Sequence, residues 1–140
     1  MRTILASLVL LWLLLAAGTA DAYSRSQGRK LDETQKAYAN ALRWSEFERA
    51  WDFVDPQYRE AHPLSDLELE RYRQLQVSSY SERRSGSLPD GTVMRDIEVG
   101  VINRNTQAER TVRYREGWRW DEKDKRWWQT LGLPDFWQGQ

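Results

Sequence analysis

The stretch from Thr106 to Leu131, TQAERTVRYREGWRWDEKDKRWWQTL, decides the fold of this chain and holds four of its eight tryptophans. Apolar and charged residues alternate along it, which is the period of a β-strand with one buried face. The charged residues 122–125 supply a turn, and Gly132 and Pro134 stop the second strand. The stretch therefore predicts two antiparallel strands, the second running from Arg126 to about Leu131.

Two more runs with a period of two precede this hairpin, at residues 74–82 and 92–103. The loop between them, Arg83–Gly91, contains a Pro-Asp-Gly turn, and Asn103–Thr106 supplies the turn into the third strand. The pattern thus predicts four antiparallel strands. In the first run, the predicted core face holds Leu75, Val77 and Ser79, and the opposite face holds Gln74, Gln76, Ser78 and Tyr80.

The first half of the chain has a helical period instead. Between residues 31 and 54, apolar residues recur at three- and four-residue steps, and we expect this stripe to face the core. A capping box from Ser45 to Glu48 divides the segment into helices at about 31–43 and 46–54, and a single helix is the alternative. Asp55-Pro56 ends the segment. The stripe consists of Ala37, Ala41, Trp44, Phe47, Trp51 and Val54.

A short helical region follows before the strands. Residues 56–63 form a loop or a single helical turn, and a second capping box from Ser65 to Glu68 begins a helix that runs to about Tyr72. Helices therefore come first and strands second. This order predicts an α+β fold in which the N-terminal helices pack on a curved, antiparallel, four-stranded sheet.

The N-terminus has the pattern of a targeting segment. After Arg2, an uncharged apolar run from Ile4 to Ala17 falls short of the roughly 20 residues of a membrane-spanning helix. Ala20-Asp21-Ala22 fits a signal-peptidase site. We expect a signal peptide at 1–22, a flexible leader at 23–30 and one domain at 31–140. The protein would then be periplasmic or secreted, with no stable membrane anchor after cleavage. Cleavage after Ala20 and an uncleaved anchor are the alternatives.

Composition excludes several kinds of chemistry. The 21 basic and 21 acidic residues balance, which gives no reason to expect nucleic acid as a partner. The chain has no cysteine, so disulfides, thiol catalysis and thiolate metal sites are ruled out. The single histidine, His62, lies in a loop, where we expect a surface residue. The sequence predicts no metal and no cofactor.

The order of these elements resembles the nuclear transport factor two-like superfamily, which includes ketosteroid isomerase and SnoaL-type cyclases. The pattern GWRWDEKDKRWWQT, from Gly117 to Thr130, is similar to the terminal hairpin of that superfamily. The segment ALRWSEFERAWDFVDPQYR, from Ala41 to Arg59, is similar to its helical start, and GLPDF from Gly132 resembles its small exported bacterial members. The resemblance implies a cone-shaped, cystatin-like fold with a pocket at the wide end of the cone.

Two charged residues interrupt the inward faces of the predicted sheet, Arg95 and Glu116. A hairpin centred on Arg104-Asn105 places Arg95 opposite Tyr114 and diagonal to Glu116. An arginine and a carboxylate on an apolar concave surface either bind a polar ligand or form a structural ion pair, and we favour the ion pair. Together with Tyr38, these three residues are the candidate pocket residues.

The aromatic residues of the C-terminus suggest a second kind of site. Trp127 and Trp128 are adjacent in a strand and point opposite ways, so at least one is expected to face solvent. With Trp137 in the tail they form a candidate exposed strip for a glycan or a protein partner. The alternative is that the tail folds back and covers them.

The sequence favours a non-catalytic binding or interaction domain with a small apolar pocket, binding a small apolar ligand or an envelope protein. Homodimerisation through the outer sheet face is a further expectation. The alternative is a small isomerase- or cyclase-like enzyme that uses Tyr114 and Glu116. The inward aspartate of the isomerase is missing, so no catalytic residue is assigned. A subunit of a cell-envelope assembly is the third hypothesis.

Overall fold

The computed structural model of the protein describes residues 25–138, so the expected signal peptide at 1–22 lies outside them. In this part of the chain, four helices precede four strands, which form one open antiparallel sheet in the order β1-β2-β3-β4. This confirms the α+β class and the segregated order of its elements. The helices are α1 (25–43), α2 (Phe47–Trp51), α3 (Pro56–Ala61) and α4 (Asp66–Arg73), and the strands are β1 (Leu75–Ser87), β2 (Val93–Asn103), β3 (Glu109–Asp121) and β4 (Arg126–Gln129).

Helix α1 includes residues 25–30, which the sequence indicated as part of a flexible leader. Its first turns lie against the β3–β4 hairpin. The indole nitrogen of Trp127 donates to the carbonyl of Gln27 at 2.9 Å, and the ammonium of Lys30 lies 5.5 Å from the ring centroid of Trp120. These long-range contacts favour the helix, and the local sequence contains no sign of them.

The break after α1 lies where the sequence placed it, but its mechanism differs. Ser45 has φ of 58°, in the left-handed region, and ends α1 as the backbone N–H of Glu46 donates to the carbonyl of Ala41 at 2.8 Å. The N-cap of α2 is Glu46, which makes no side-chain cap. The predicted capping box at Ser45 is therefore wrong.

The next two helices both have side-chain caps. Helix α2 ends at Trp51, three residues before the predicted end at Val54, because Val54 forms a β-bridge with Gln129. Asp55 Oδ1 accepts from the N–H of Gln57 at 3.0 Å to begin α3. The predicted capping box of α4 is confirmed, because Ser65 Oγ accepts from the Glu68 N–H and Glu68 Oε2 accepts from the Ser65 N–H. Such caps each stabilise a helix by about 1 kcal/mol.

Strand β1 contains a β-bulge at Ser78. Its pairing with β2 shifts by one residue between Val77 and Ser79, and the shift turns Tyr80 onto the buried face. The sequence predicted the opposite face for Tyr80. Gly100 makes room for the bulge, since a Cβ there would lie 2.5 Å from the hydroxyl oxygen of Ser78.

Strand β1 also extends further than expected. It continues to Ser87 through most of the predicted loop, pairing with the start of β2, after a second shift between Glu82 and Arg84. The predicted Pro-Asp-Gly turn is confirmed just beyond it. There Gly91 has φ of 86° and donates its N–H to the carbonyl of Leu88 at 3.0 Å.

The register of β2 and β3 differs from the predicted one by two residues. Arg95 pairs directly with Glu116, and Ile97 pairs with Tyr114. The loop is longer than a two-residue turn because the side chain of Asn103 accepts from two backbone N–H groups within it, at 2.9 and 3.2 Å. An even shift leaves every side chain on its predicted face.

Aromatic side chains fill the space between the helices and the sheet. Trp118 and Tyr38 are fully buried, with ring centroids 5.4 Å apart in an edge-to-face contact. Phe136, from the C-terminal tail, is also fully buried and packs against Phe47 and Tyr72. Burying each such side chain contributes roughly 1.5–3 kcal/mol. The tail is thus part of the core.

The exposed aromatic strip is not where the sequence predicted it. Trp127 and Trp128 are both buried, and Trp128 lies under the guanidinium of Arg126 at 3.7 Å from the ring centroid. Trp137 is half-buried. Among the tryptophans of residues 25–138, the exposed one is instead Trp44, at 78%, which the helical stripe had placed in the core. It follows the end of α1, so the helical period no longer sets its direction.

Candidate functional site

The inner face of the sheet holds a carboxylate that has no contact with solvent. Glu116, on β3, is 0% exposed. Its Oε1 accepts hydrogen bonds from the hydroxyls of Tyr80 and Tyr114, the latter at 2.7 Å, and its Oε2 accepts from the indole N–H of Trp118 at 3.1 Å. Three uncharged donors thus stabilise a buried acceptor that would otherwise be very unfavourable there.

Arg95 lies beside this carboxylate and is only 6% exposed. Its Nη1 is 3.7 Å from Glu116 Oε2, and its Nη2 is 3.7 Å from Glu82 Oε2. Both distances are too long for hydrogen bonds. Arg95 Nε and Nη1 are buried and have no hydrogen-bond partner among the described residues. An unpaired buried donor of this kind costs about 1–3 kcal/mol, and more when the group is charged.

The tyrosines around Glu116 are held in their protonated form. Burial raises the pKa of Tyr80, Tyr114 and Tyr38, and the charge of Glu116 raises each of them further. These phenols are therefore hydrogen-bond donors throughout the physiological pH range. The cluster around Glu116 consists of one acceptor surrounded by fixed donors.

A cleft of about 460 Å³ opens between α1 and the strands β1 and β2, and we call it the Arg95 cleft. One side of α1 forms its helical wall, with residues spaced three or four apart so that they share one face. Tyr80, Glu82 and Arg95 form the wall on the sheet side. The full lining is Asp32, Gln35, Lys36, Ala39, Asn40, Arg43, Tyr80, Glu82 and Arg95.

The Arg95 cleft adjoins a second cleft of about 530 Å³ along β1. The two share Asn40, Arg43 and Tyr80, and the second one continues to Trp44. Arg43 stands at the junction, where its Nη2 donates to the carbonyl of Tyr80 at 3.0 Å. A ligand longer than the Arg95 cleft would therefore continue toward an exposed indole ring.

A larger cleft, of about 960 Å³, is lined by arginines of the outer face together with Ile97, Tyr114 and Gln138. Two carboxylates there each lie between two arginines, which lowers the pKa of Asp96 and Glu98. Every one of these arginines has a carboxylate partner, so this outer arginine cluster lacks the unpaired donors of Arg95. Its ion pairs are Arg84–Asp96 (3.3 Å), Arg115–Asp96 (2.8 Å), Arg83–Glu98 (2.5 Å) and Arg113–Glu98 (3.0 Å).

The structure brings together three of the four candidate pocket residues. Arg95, Tyr114 and Glu116 are neighbours, and Arg95 alone of the four lines the Arg95 cleft. Tyr38 is fully buried in the interior, with its hydroxyl 3.4 Å from Gln129 Nε2. Sequence reasoning missed Tyr80, which shares Glu116 with Tyr114, because the bulge reverses its face.

Within residues 25–138, no group of three or more metal-binding side chains is placed to hold an ion. His62 is exposed and stacks on Tyr58 with ring centroids 4.3 Å apart. No helix in this part of the chain is long and apolar enough to cross a membrane.

Comparison of the chain with protein-family models, with curated proteins and with solved structures finds no match. Function is therefore inferred from the side chains of this chain and their surroundings. The feature that most needs an explanation is a guanidinium with unmade hydrogen bonds at the edge of an open cleft.

Proposed function

We propose that this protein is a non-catalytic binding domain whose ligand site is the Arg95 cleft. The observation that supports this role best is the state of the Arg95 guanidinium, which is buried and whose Nε and Nη1 have no hydrogen-bond partner among the described residues. Folding a charged donor into such a position is unfavourable unless an acceptor pairs with it. A polar ligand in the cleft would supply that acceptor. The site is polar, whereas the sequence suggested an apolar pocket.

The surroundings of Glu116 favour binding over catalysis. A general base must reach the proton that it removes. Both oxygens of Glu116 already accept hydrogen bonds, and the side chain is fully buried. Tyr114 directs its hydroxyl to the same carboxylate. These contacts leave the isomerase- or cyclase-like enzyme as the weaker proposal, because its two residues bond to each other and neither lines the Arg95 cleft.

We further propose that the domain is a cone-shaped, cystatin-like member of the nuclear transport factor two-like superfamily. The order of helices before a four-stranded antiparallel meander supports it. The apolar run at the N-terminus and the Ala20-Asp21-Ala22 pattern support export to the periplasm or the medium. An envelope protein as partner, and a homodimer through the outer face of the sheet, belong to the same proposal.

Nuclear magnetic resonance with the purified, isotope-labelled protein tests the binding role. A set of small polar compounds, both charged and neutral, is titrated while the backbone amides of Asn40, Ser81 and Arg95 are followed. We expect saturable shifts at these amides and none at the amide of Arg115 on the outer face. Shifts confined to the outer face, or no saturable shift with any compound, would overturn the proposal.

A pair of arginine variants provides the matched test of location. Arg43→Gln removes a charge at the cleft, and Arg115→Gln removes one from the outer face. Loss of a charge-assisted hydrogen bond should weaken ligand binding about tenfold in Arg43→Gln. Arg115→Gln should leave it unchanged. Equal effects of the two substitutions would show that only the net charge matters, and the site would then lie elsewhere.

A further inference from the structure

The ligand class of the Arg95 cleft can be inferred from the two carboxylates that flank Arg95. We propose that the cleft binds the carboxylate of an elongated, largely apolar acid, and that Glu82 is a built-in competitor that the ligand displaces from Arg95. This proposal rests on the binding role proposed above and adds the ligand's chemistry and the residue that opposes its binding.

Glu82 and Glu116 are held very differently, although each lies 3.7 Å from a terminal nitrogen of Arg95. Glu116 is fixed by three hydrogen bonds and has no exposure. The side chain of Glu82 is 43% exposed, lines the cleft and contacts Arg95 only at a distance beyond a hydrogen bond. Turning Glu82 out into water therefore costs little, and it frees one edge of the guanidinium for another acceptor.

The charges of the cleft favour a single carboxylate over a more highly charged anion. Three cations line the cleft, Lys36, Arg43 and Arg95, against the two carboxylates of Asp32 and Glu82. Lys36 is already paired with Asp32 at 2.7 Å. Glu116 behind Arg95 is a third carboxylate, so a ligand that displaces Glu82 replaces a single negative charge, which matches a monoanion. The flat edge of a guanidinium also matches the two oxygens of a carboxylate.

The rest of the ligand is suggested by the adjoining cleft. It shares Arg43 with the Arg95 cleft and ends at Trp44, which is 78% exposed. An indole ring in that position offers a large apolar surface next to a cationic junction. A chain attached to the bound carboxylate would pass Arg43 and cover the Trp44 ring.

Four probes separate the elements of this proposal: acetate, hexanoate, hexanamide and inorganic phosphate. Dissociation constants are measured from amide shifts of Ser81 and Arg95 at constant ionic strength. We expect hexanoate to bind more tightly than the other three. Trp44→Ala should weaken the binding of hexanoate several-fold, because the alkyl chain of the ligand loses its apolar partner. The binding of acetate should be unchanged.

Glu82→Gln is the decisive variant, and Glu60→Gln is its control. Each substitution removes one negative charge, but Glu60 is exposed on α3 and does not line the cleft. Removing the competitor should tighten hexanoate binding about two- to fivefold. Glu60→Gln should leave the dissociation constant of hexanoate unchanged. Weaker or unchanged binding in Glu82→Gln would show that Glu82 does not compete.

The remaining outcomes distinguish the ligand class from the binding role itself. Hexanamide or phosphate binding at the same amides as tightly as hexanoate would overturn the carboxylate class and leave the Arg95 cleft as a binding site. No shift of these amides with any probe, in the wild type or in Glu82→Gln, would contradict both proposals. A short apolar peptide with a free C-terminus, compared with its amide, shows whether a peptide end supplies the same carboxylate. Binding of the free peptide alone supports the carboxylate class, and equal binding of the amide contradicts it.

Discussion

Strands β2 and β3 carry an arginine–carboxylate cluster on each face, and the two clusters differ in which groups satisfy their carboxylates. On the inner face, Glu116 is fully buried, and uncharged donors rather than Arg95 satisfy its oxygens. On the outer face, Asp96 and Glu98 each lie between two arginines at 2.5 to 3.3 Å. The closer ion pairs are thus those whose arginines are exposed to solvent.

The difference teaches that the number of ion pairs says little about their effect on stability. Exposed pairs contribute about 0–1 kcal/mol each, because water already solvates both partners. A buried charge that loses its partner costs about 3–5 kcal/mol, because nothing replaces it. We therefore expect the inner cluster to dominate stability although it contains fewer charges. Four measurements test this comparison.

The largest effect should come from Glu116→Gln, which leaves the charge of Arg95 without its inner carboxylate. We expect the free energy of unfolding to fall by about 3 kcal/mol, measured by urea denaturation at pH 7. Glu60→Gln, at an exposed position, is the control. A loss below about 1 kcal/mol would mean that Glu116 is not a structural acceptor, and it would return this residue to the list of functional candidates.

A smaller effect is expected from Tyr80→Phe, which removes one of the two hydroxyls that donate to Glu116 Oε1. The loss should be about 1–2 kcal/mol, because Tyr114 still donates to the same oxygen. Combined with Glu116→Gln in a double-mutant cycle, the two changes should be coupled by more than about 0.5 kcal/mol. Additive losses would indicate that the tyrosine stabilises the fold through packing alone.

Lowering the pH should destabilise the protein through the carboxylates of the outer cluster and through Asp55. Arginine partners hold the pKa of Asp96, Glu98 and Asp55 below their ordinary values of 3.8 for aspartate and 4.5 for glutamate. The unfolded chain then binds protons more readily than the folded one, so this stability is present above those ordinary values and lost as the pH falls through the lowered ones. We expect the thermal midpoint to be nearly constant between pH 7 and 5 and to fall below about pH 4. In Asp55→Asn the fall should be shallower, and an unchanged profile would contradict the assignment.

The smallest effect should come from Glu98→Gln on the outer face. It breaks the contacts with Arg83 and Arg113, yet the free energy of unfolding should change by less than about 1 kcal/mol. In 1 M salt the difference should disappear, because screening acts over about 3 Å there. A loss of unfolding free energy as large as that of Glu116→Gln would show that the inner cluster does not dominate stability.

Much of the fold could be predicted because its signals are local. The capping box at Ser65, the Pro-Asp-Gly turn before Thr92 and the alternation along β2 and β3 each depend on a few neighbouring residues. The inward positions of Arg95 and Glu116 follow from the same alternation. These inward positions are correct despite the two-residue error in register, because side chains repeat their direction every second residue.

What could not be predicted depends on contacts between distant parts of the chain. Tyr80 was assigned to the wrong face because the bulge at Ser78 exists only through pairing with Gly100 on β2. The partner of Trp127 is the carbonyl of Gln27, near the other end of the described chain. The Arg95 cleft requires β1 to lie beside Arg43 of α1, and no local pattern gives that arrangement.

The bulge also determines which changes in chain length the strand tolerates. Ser78, like Arg83 further along β1, has no residue opposite it on β2, since Val77 pairs with Val101 and Ser79 with Gly100. Deleting Ser78 would leave regular pairing from Leu75 to Glu82, with Tyr80 still directed at Glu116. Deleting the codon for Ser81 would instead turn Glu82 to the outer face. Loss of Ser78 should therefore cost only its hydrogen bond to Glu109, whereas loss of Ser81 would remove Glu82 from the Arg95 cleft.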